Sequence, residues 1–299
     1  MEAPVVQVVV RNIAGDCILK LDAELAITVG NLKEKISEHS QVPRACQRLI
    51  LGTTVLQNDA GTLAAHCQPG SAVMSFTMVI SLEEVEKDLQ QRRPSKMAQA
   101  LTALGQLGAK GGESAKSAVH KHMKDWNADV RAAAVEAKAA MAAPGDADSI
   151  AAICRCLDEW IADVARFEDK EERMACTALH SLSQVARIGD QRALSTVRRC
   201  MQDRKCIVRA AAVNALANLV PKGDEDAITA LQTCLNDRAP EVKLAALKLW
   251  PNLVHRSDDR AITAVRALIK DANPEVRSVA IDLLIKWRRG SLVGLGTRK

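Results

Sequence analysis

The stretch CIVRAAAVNALANLV, residues 206–220, decides how most of this chain is read. Close variants of it are ADVRAAAVEAKAAM from residue 128, PEVKLAALKLWPNLV from residue 240 and PEVRSVAIDLLIKW from residue 274. A basic residue holds the fourth place of each: Arg131, Arg209, Lys243 and Arg277. The last three are 34 residues apart, so the phrase is one part of a repeating unit. Within each copy the apolar residues recur every three or four positions, the spacing of an amphipathic helix.

Working outward, Gly111, Gly145, Gly189, Gly223 and Ser257 mark the same place in successive units, with steps of 34, 44, 34 and 34. WIADVARFEDK, from residue 160, is the natural place for the ten extra residues of the long step. Fourteen residues beyond each anchor stands an acid: Asp125, Glu159, Asp203, Asp237 and Asp271. EDAITALQTCL and PEVKLAALKLWPNL each predict a helix, and the polar stretch between them predicts a turn. Two helices of that length cannot bury their own apolar faces, so neighbouring pairs must stack into a solenoid. LEEVEKDLQQRR and SKMAQALTALGQL, split by Pro94, predict one further pair in front. About six helix pairs are expected over residues 82–288, followed by a basic flexible tail at 289–299. Asp125, Arg131, Asp203, Arg209, Asp237, Lys243, Asp271 and Arg277 are expected to form a structural ladder of turn acids and helix cations, each cation reaching an acid of its own or the adjacent unit.

The turn acid with Arg or Lys six residues on resembles the HEAT-repeat pattern, and the D-x-x-P-E-V-R style is similar to the phycobilisome-lyase type of HEAT repeat. Neither the W-x-x-L-G-x-x-Y signature of tetratricopeptide repeats nor the T-P-L-H-x-A of ankyrin repeats is present. The resemblance covers roughly residues 83–288 and implies a surface that holds other proteins. It also leaves open a lyase-like enzyme or enzyme subunit, for example one handling a tetrapyrrole. The iron-binding deoxyhypusine hydroxylases, another HEAT family, depend on His-Glu pairs, and this chain contains no such dipeptide.

The first eighty residues are written differently. VVQVVVRNI and CILKLDAEL are β-branched, alternating runs around Ala14-Gly15-Asp16, which predicts a hairpin. Thr28 is placed to cap a helix whose Val29, Leu32 and Ile36 share one face, and Pro43 follows its end. QRLILG and SAVMSFTMVI supply further strands, so an α+β unit is expected over residues 1–81. NLKEKI, QRLILG and GTLAAHCQPGSAV, in this order and spacing, resemble ubiquitin. That resemblance implies a β-grasp fold and an apolar docking patch, here Ile13, Ile50, Met74 and Phe76. It implies partners among ubiquitin receptors or proteasome-linked machinery. The segment runs on into ISLEEVEKDL with no terminal Gly-Gly, and Thr54 and Pro69 replace two chain-linking lysines, which points to a built-in domain and not a conjugated tag.

Composition narrows the remaining classes. Apolar residues make up 48% and charged residues 26%, so a packed core is affordable, while two Phe and no Tyr leave few stacking platforms for nucleic-acid bases. The net charge of +5 comes from the last fourteen residues, which hold five cations and no acid; the repeats themselves are nearly neutral. No specific nucleic acid or membrane partner is therefore expected. An odd count of nine cysteines without a secretory leader predicts reduced thiols and a cytoplasmic or nuclear location. Cys154/Cys156 and His120/His122 are each two apart, which on a helix aims them away from each other, so no metal site is predicted. Cys176, Cys200 and Cys234 are read as core, as are Trp126 and Trp160. No cofactor and no catalytic set is predicted, and the function expected is that of a non-enzymatic adaptor or scaffold. In a purely structural alternative the first domain only caps the solenoid. Ser95 in RRPS and Ser291 in RRGSL follow arginine pairs and are candidate phosphorylation sites.

Overall fold

The computed structural model describes residues 5–162, 169–255 and 258–293, and of 169–171 and 289–293 the backbone alone. The chain divides into two compact units, Met1–Met141 and Ala142–Lys299.

The first unit opens with β1 (Val5–Arg11) and β2 (Cys17–Glu24), then α1 (Val29–Ser40), β3 (Gln47–Leu51), β4 (Thr54–Leu56) and β5 (Val73–Ile80). The sheet order is β2-β1-β5-β3-β4, with β1 and β5 parallel and every other neighbour antiparallel. Strand periodicity places Val6, Val8 and Val10 of β1, Leu19 of β2, Leu49 of β3 and Met74, Phe76 and Met78 of β5 in the buried core. Val29, Leu32 and Ile36 of α1 are each 0% exposed and complete that core, as their shared helical face requires. Thr28 Oγ1 accepts the Asn31 N–H at 3.1 Å, the N-cap its residue type suggests, and Gln41 closes α1 in the left-handed region. At the hairpin, Gly15 sits at φ +92, where an L side chain would be strained. The short β4 had no alternating pattern long enough to announce it.

Four helices complete this unit: α2 (Glu83–Gln90), α3 (Pro94–Leu107), α4 (Gly112–His122) and α5 (Ala128–Met141). Pro94 occupies the first turn of α3, where its missing N–H costs nothing. The alanines of α5 let α3 approach so closely that a Cβ on Gly105 would stand 2.8 Å from the Ala137 Cα. Abundant Ala thus shows itself as short interhelical distance. Glu83 of α2 pairs with Arg48 of β3 (3.2 Å), the Ser81 N–H just before α2 donates to the Cys46 carbonyl just before β3 (2.9 Å), and Lys110 Nζ, past the end of α3, donates to the Ser40 carbonyl at the end of α1 (2.9 Å).

Among the described residues, the second unit contains four helix pairs: α6 (Ala147–Ala162) with α7 (Asp169–Val185), α8 (Gln191–Cys200) with α9 (Cys206–Leu216), α10 (Glu225–Leu235) with α11 (Pro240–Leu253), and α12 (Asp259–Ala267) with α13 (Pro274–Val293). Second helices of successive pairs pack side by side, α7 on α9, α9 on α11 and α11 on α13. Val208, Val213, Leu216, Val242, Leu247 and Trp250 are all buried at 1% exposure or less, so stacking forms a continuous apolar interior. Helix α13 continues to Val293, so residues 289–293 of the expected tail are helical; 294–299 lie outside the described residues. Part of the expected insertion, residues 163–168, also lies outside them.

Candidate functional site

The ladder expected from the repeat is present, but its rungs run between neighbouring pairs as well as within one. Each turn aspartate does two things at once. Its Oδ1 accepts a backbone N–H two residues on: Asn127 for Asp125 (2.9 Å), Lys205 for Asp203 (2.8 Å), Ala239 for Asp237 (2.8 Å) and Asn273 for Asp271 (2.9 Å). Its carbonyl faces the basic residue six positions on when that residue is arginine. Arg131 Nη1 donates to the Asp125 carbonyl at 2.7 Å, Arg209 Nη1 to that of Asp203 at 2.9 Å and Arg277 Nη1 to that of Asp271 at 2.8 Å. This half of the ladder pins the turn to the helix that follows it.

The charged half reaches forward one unit. Arg209 grips Asp237 with two bonds, Nε to Oδ2 at 2.8 Å and Nη2 to Oδ1 at 2.7 Å. Lys243 Nζ reaches Asp271 Oδ2 at 2.6 Å. Side chains of Arg209 and Asp237 are only 8% and 15% exposed, so this pair works with little solvent screening. Burial pushes the Asp237 carboxyl up, but its bonds from Arg209 and the Ala239 N–H, with the arginine's charge, bring it below the usual carboxylate range. For Asp271 the Lys243 bond is the largest influence, and its carboxyl is likewise held low. Of the two expected partners, an acid of the same unit or of the adjacent one, the side chains of Arg209 and Lys243 take the adjacent one, because Arg and Lys are long enough to span the joint.

At Asp203 the side-chain bond from the preceding pair is of another kind. Trp160 supplies the bond instead, its indole Nε1 donating to Oδ2 at 3.1 Å, while the ring itself is 5% exposed. A neutral donor takes the place of a charged one at the irregular repeat. Glu159, aligned with the turn acids by spacing, lies inside α6 and not in a turn, since that helix runs on through residue 162. Trp126 is 75% exposed, which corrects the expectation of a core tryptophan; it sits in the α4–α5 turn, and its carbonyl accepts from Arg131 Nη1 at 3.1 Å.

A second periodic device went unread. Asp190, Asp224 and Asp258, each directly after an anchor position, cap the first helix of their pairs through the Ala193, Ala227, and Arg260 and Ala261 N–H groups. The anchor glycine closes the pair at the same end. Gly189 N–H donates to the Leu219 carbonyl at 2.8 Å and Gly223 N–H to that of Leu253 at 2.9 Å, with φ of +86 and +84. The aspartate directly after four of the five anchors was the available signal, a cap residue just before an amphipathic run.

On the sheet, the proposed patch is split by strand geometry. Ile13 is 81% exposed and Ile50 half-buried on the outer face, but Met74 and Phe76 are 3% and 1% exposed. Those two point at α1 because alternate residues of a strand face opposite ways, and a slip of one position inverts the assignment. The outward residues of β5 are Val73, Ser75, Thr77 and Val79, with Thr77 opposite Ile50. The outer face thus includes Ile50, Val73, Ser75, Thr77 and Val79, with Ile13 exposed in the adjoining β1–β2 turn.

The cysteines behave as packing groups. Cys154, Cys200 and Cys234 are buried, Cys176 half-buried. Burial pushes the Cys200 thiol up to about 12 and those of Cys46, Cys176 and Cys234 up to about 11, away from the thiolate form. Ser95 is exposed in the first turn of α3, where Arg93 and not Ser95 holds the cap position. Ser291 falls within α13, and its side chain lies outside the described residues. Among the described residues no helix is long and apolar enough to cross a membrane.

Comparison with known proteins bears on the repeats. The HEAT-repeat family model matches residues 160–250, so that part of the chain carries HEAT repeats. Solved structures with similar folds include an archaeal HEAT-like repeats protein from Thermococcus onnurineus NA1, 11% identical over 70% of this chain and 87% of that one, TM-score 0.46. A designed armadillo repeat protein in complex with the peptide (KR)4 is 20% identical over 69% of this chain and 98% of that one, TM-score 0.43. Comparison with curated proteins returns no match.

Proposed function

We propose that this chain is a non-enzymatic protein-interaction adaptor of the cytoplasm, with a ubiquitin-like N-terminal domain that docks ubiquitin-pathway machinery and helical repeats that hold a client. The observation that carries the reading is the outer face of the sheet. Val73 at the start of β5 is 50% exposed and Ile50 of β3 half-buried there, and Ile13 in the β1–β2 turn is 81% exposed. The bonds from α2 and the residues flanking α2 and α3 go to Arg48, Cys46 and Ser40, not to Ile13 or Val73. A mixed five-stranded sheet with one helix against its inner face supports the ubiquitin-like assignment. The shifted titrating groups support a structural role, being buried thiols and aspartates matched to cations, the arrangement of a scaffold more than of an acid–base site.

Titration of the isotope-labelled protein with a ubiquitin-binding helix taken from a ubiquitin receptor tests the reading. Amide shifts are expected around Ile13, Ile50, Val73 and Thr77. Ile50→Ala should weaken binding by more than about 1 kcal/mol, as central contacts do, with an unchanged melting temperature. A mutant that melts early while the shifts persist elsewhere would favour the capping role for the sheet. A chromophore or metal retained through gentle purification would favour the enzyme reading.

A further inference from the structure

The last described helix, α13, exposes part of a stripe that its counterparts bury. In the internal pairs of the second unit, the second helix presents a stripe to the pair that follows. On α9 the stripe is Arg209, Val213, Leu216 and Ala217; on α11 it is Lys243, Leu247, Trp250 and Pro251. Val213, Leu216, Leu247 and Trp250 are exposed by no more than 1%. One period further on, α13 holds Arg277, Ile281, Leu284 and Ile285 in the same register. There Ile281 is 40% and Ile285 43% exposed. The Ile281 place is buried where a following pair exists, at Val213 and Leu247, and the Leu284 place at Leu216 and Trp250, while the Ile285 place is half-buried there, at Ala217 and Pro251.

Arg277 shows the same vacancy in its hydrogen bonds. Its Nη1 donates to the Asp271 and Ala272 carbonyls at 2.8 and 2.9 Å, matching Arg209 on Asp203 and Arg204. In Arg209 the remaining edge of the guanidinium, Nε and Nη2, grips Asp237 of the next pair. In Arg277 that edge meets no carboxylate among the described residues. The turn bonds hold the guanidinium in its gripping orientation, so its open edge is organised before any partner arrives.

We propose that the outward face of α13 is a docking site for a helical hairpin of another protein that presents a turn aspartate beside an apolar helix face. Charge selects this occupant over a second copy of the chain. The stripe runs from Arg277 to exposed Arg288 with no acid along it. At about 100° per residue, the exposed acids of α13, Glu275 and Asp282, project from a different face. Two copies paired through this stripe would bring arginines together and leave both guanidinium edges empty. An aspartate from a turn fills the edge bidentately, as Asp237 fills that of Arg209. This surface is separate from the sheet face, and either proposal can fail without the other.

The probe is a synthetic peptide of residues 221–254, which contains the α10–α11 hairpin and Asp237, the segment that covers the equivalent stripe of α9. Added to the full-length protein and followed by calorimetry, it should bind saturably. Asp237→Asn in the peptide, or Arg277→Ala in the protein, should weaken binding by about tenfold, the effect of losing a charged hydrogen bond. Ile281→Asp should abolish binding while circular dichroism shows the fold retained, and Arg277→Lys should keep part of the affinity, as Lys243 keeps a single bond to Asp271. Absence of binding, or equal affinity for the Asp237→Asn peptide, overturns the proposal. So does sensitivity to Arg209→Ala instead of Arg277→Ala, which would mean the peptide had displaced its own counterpart. A full-length dimer in sedimentation that Ile281→Asp dissolves would assign the face to a second copy and overturn it as well.

Discussion

The sheet and the helical repeats solve the same problem, how to hold one face against another, by different means. In the sheet, alternation alone sorts the side chains: Met74, Phe76 and Met78 go in, while Val73, Ser75 and Thr77 go out. In the repeats the apolar interior is joined by polar rungs, and a single residue such as Arg209 touches its own turn and the next pair at once. The contrast teaches where each is fragile. The sheet depends on volume in one core, whereas the repeats also depend on directional bonds that recur at each joint and weaken when one donor is changed.

The largest effect expected from breaking this contrast is in the sheet. Phe76→Ala empties a site that is 1% exposed and should cost about 3–5 kcal/mol in urea melts, since the strands cannot collapse around the lost ring. A loss below 1 kcal/mol would mean that Phe76 faces outward after all. Next comes the joint between α9 and α11. Arg209→Ala removes two bonds to Asp237 and two to its own turn, and should cost about 1.5–3 kcal/mol. Trp160→Phe, which deletes only the neutral indole bond to Asp203 and keeps most of the ring, should cost about 0.5–1.5 kcal/mol. Equal costs for these two would show that the rungs contribute through packing and not through charge.

The smallest effect is read through pH at the α11–α13 joint. The Asp271 carboxyl is held low in the folded chain, chiefly by Lys243, so the unfolded chain binds the proton more readily. The stability it contributes is present above the unfolded carboxylate value of about 3.9 and is lost as pH falls through the lower folded value. Melting of Asp271→Asn against the parent should therefore show a gap of about 0.5–1 kcal/mol at pH 7, in keeping with a single ion pair, that closes as the solution is acidified below about pH 4. A gap that is constant across that range would assign the aspartate's contribution to its cap bond with Asn273 alone.

Much of this was legible because periodicity survives in a linear string. Recurrence of Arg131, Arg209, Lys243 and Arg277 with an acid six residues before each predicts helix pairs, their turns and the need to stack. Thr28, Pro94 and the hairpin at Gly15 declare element ends through backbone chemistry that acts within a few residues. Alternation in β5 was legible too, and the misplacing of Met74 and Phe76 on the outer face came from reading a resemblance one position out of register. The capping aspartates Asp190, Asp224 and Asp258 were equally visible beside their anchors.

What tertiary structure alone decided is which partner each polar group meets. Spacing puts Asp203 six residues before Arg209, but the arginine's charge is answered by Asp237, because stacking brings that turn nearer to the guanidinium than the side chain of its own. Trp160 replacing a cation at Asp203 leaves no mark in the period, for the indole comes from the irregular repeat, 43 residues away. Exposure of Trp126 and of the Ile281–Ile285 stripe likewise depends on whether a neighbour is there to cover it. A sequence determines the faces its helices and strands present, since those follow from local geometry; what covers each face is settled only when elements far apart in the chain pack together.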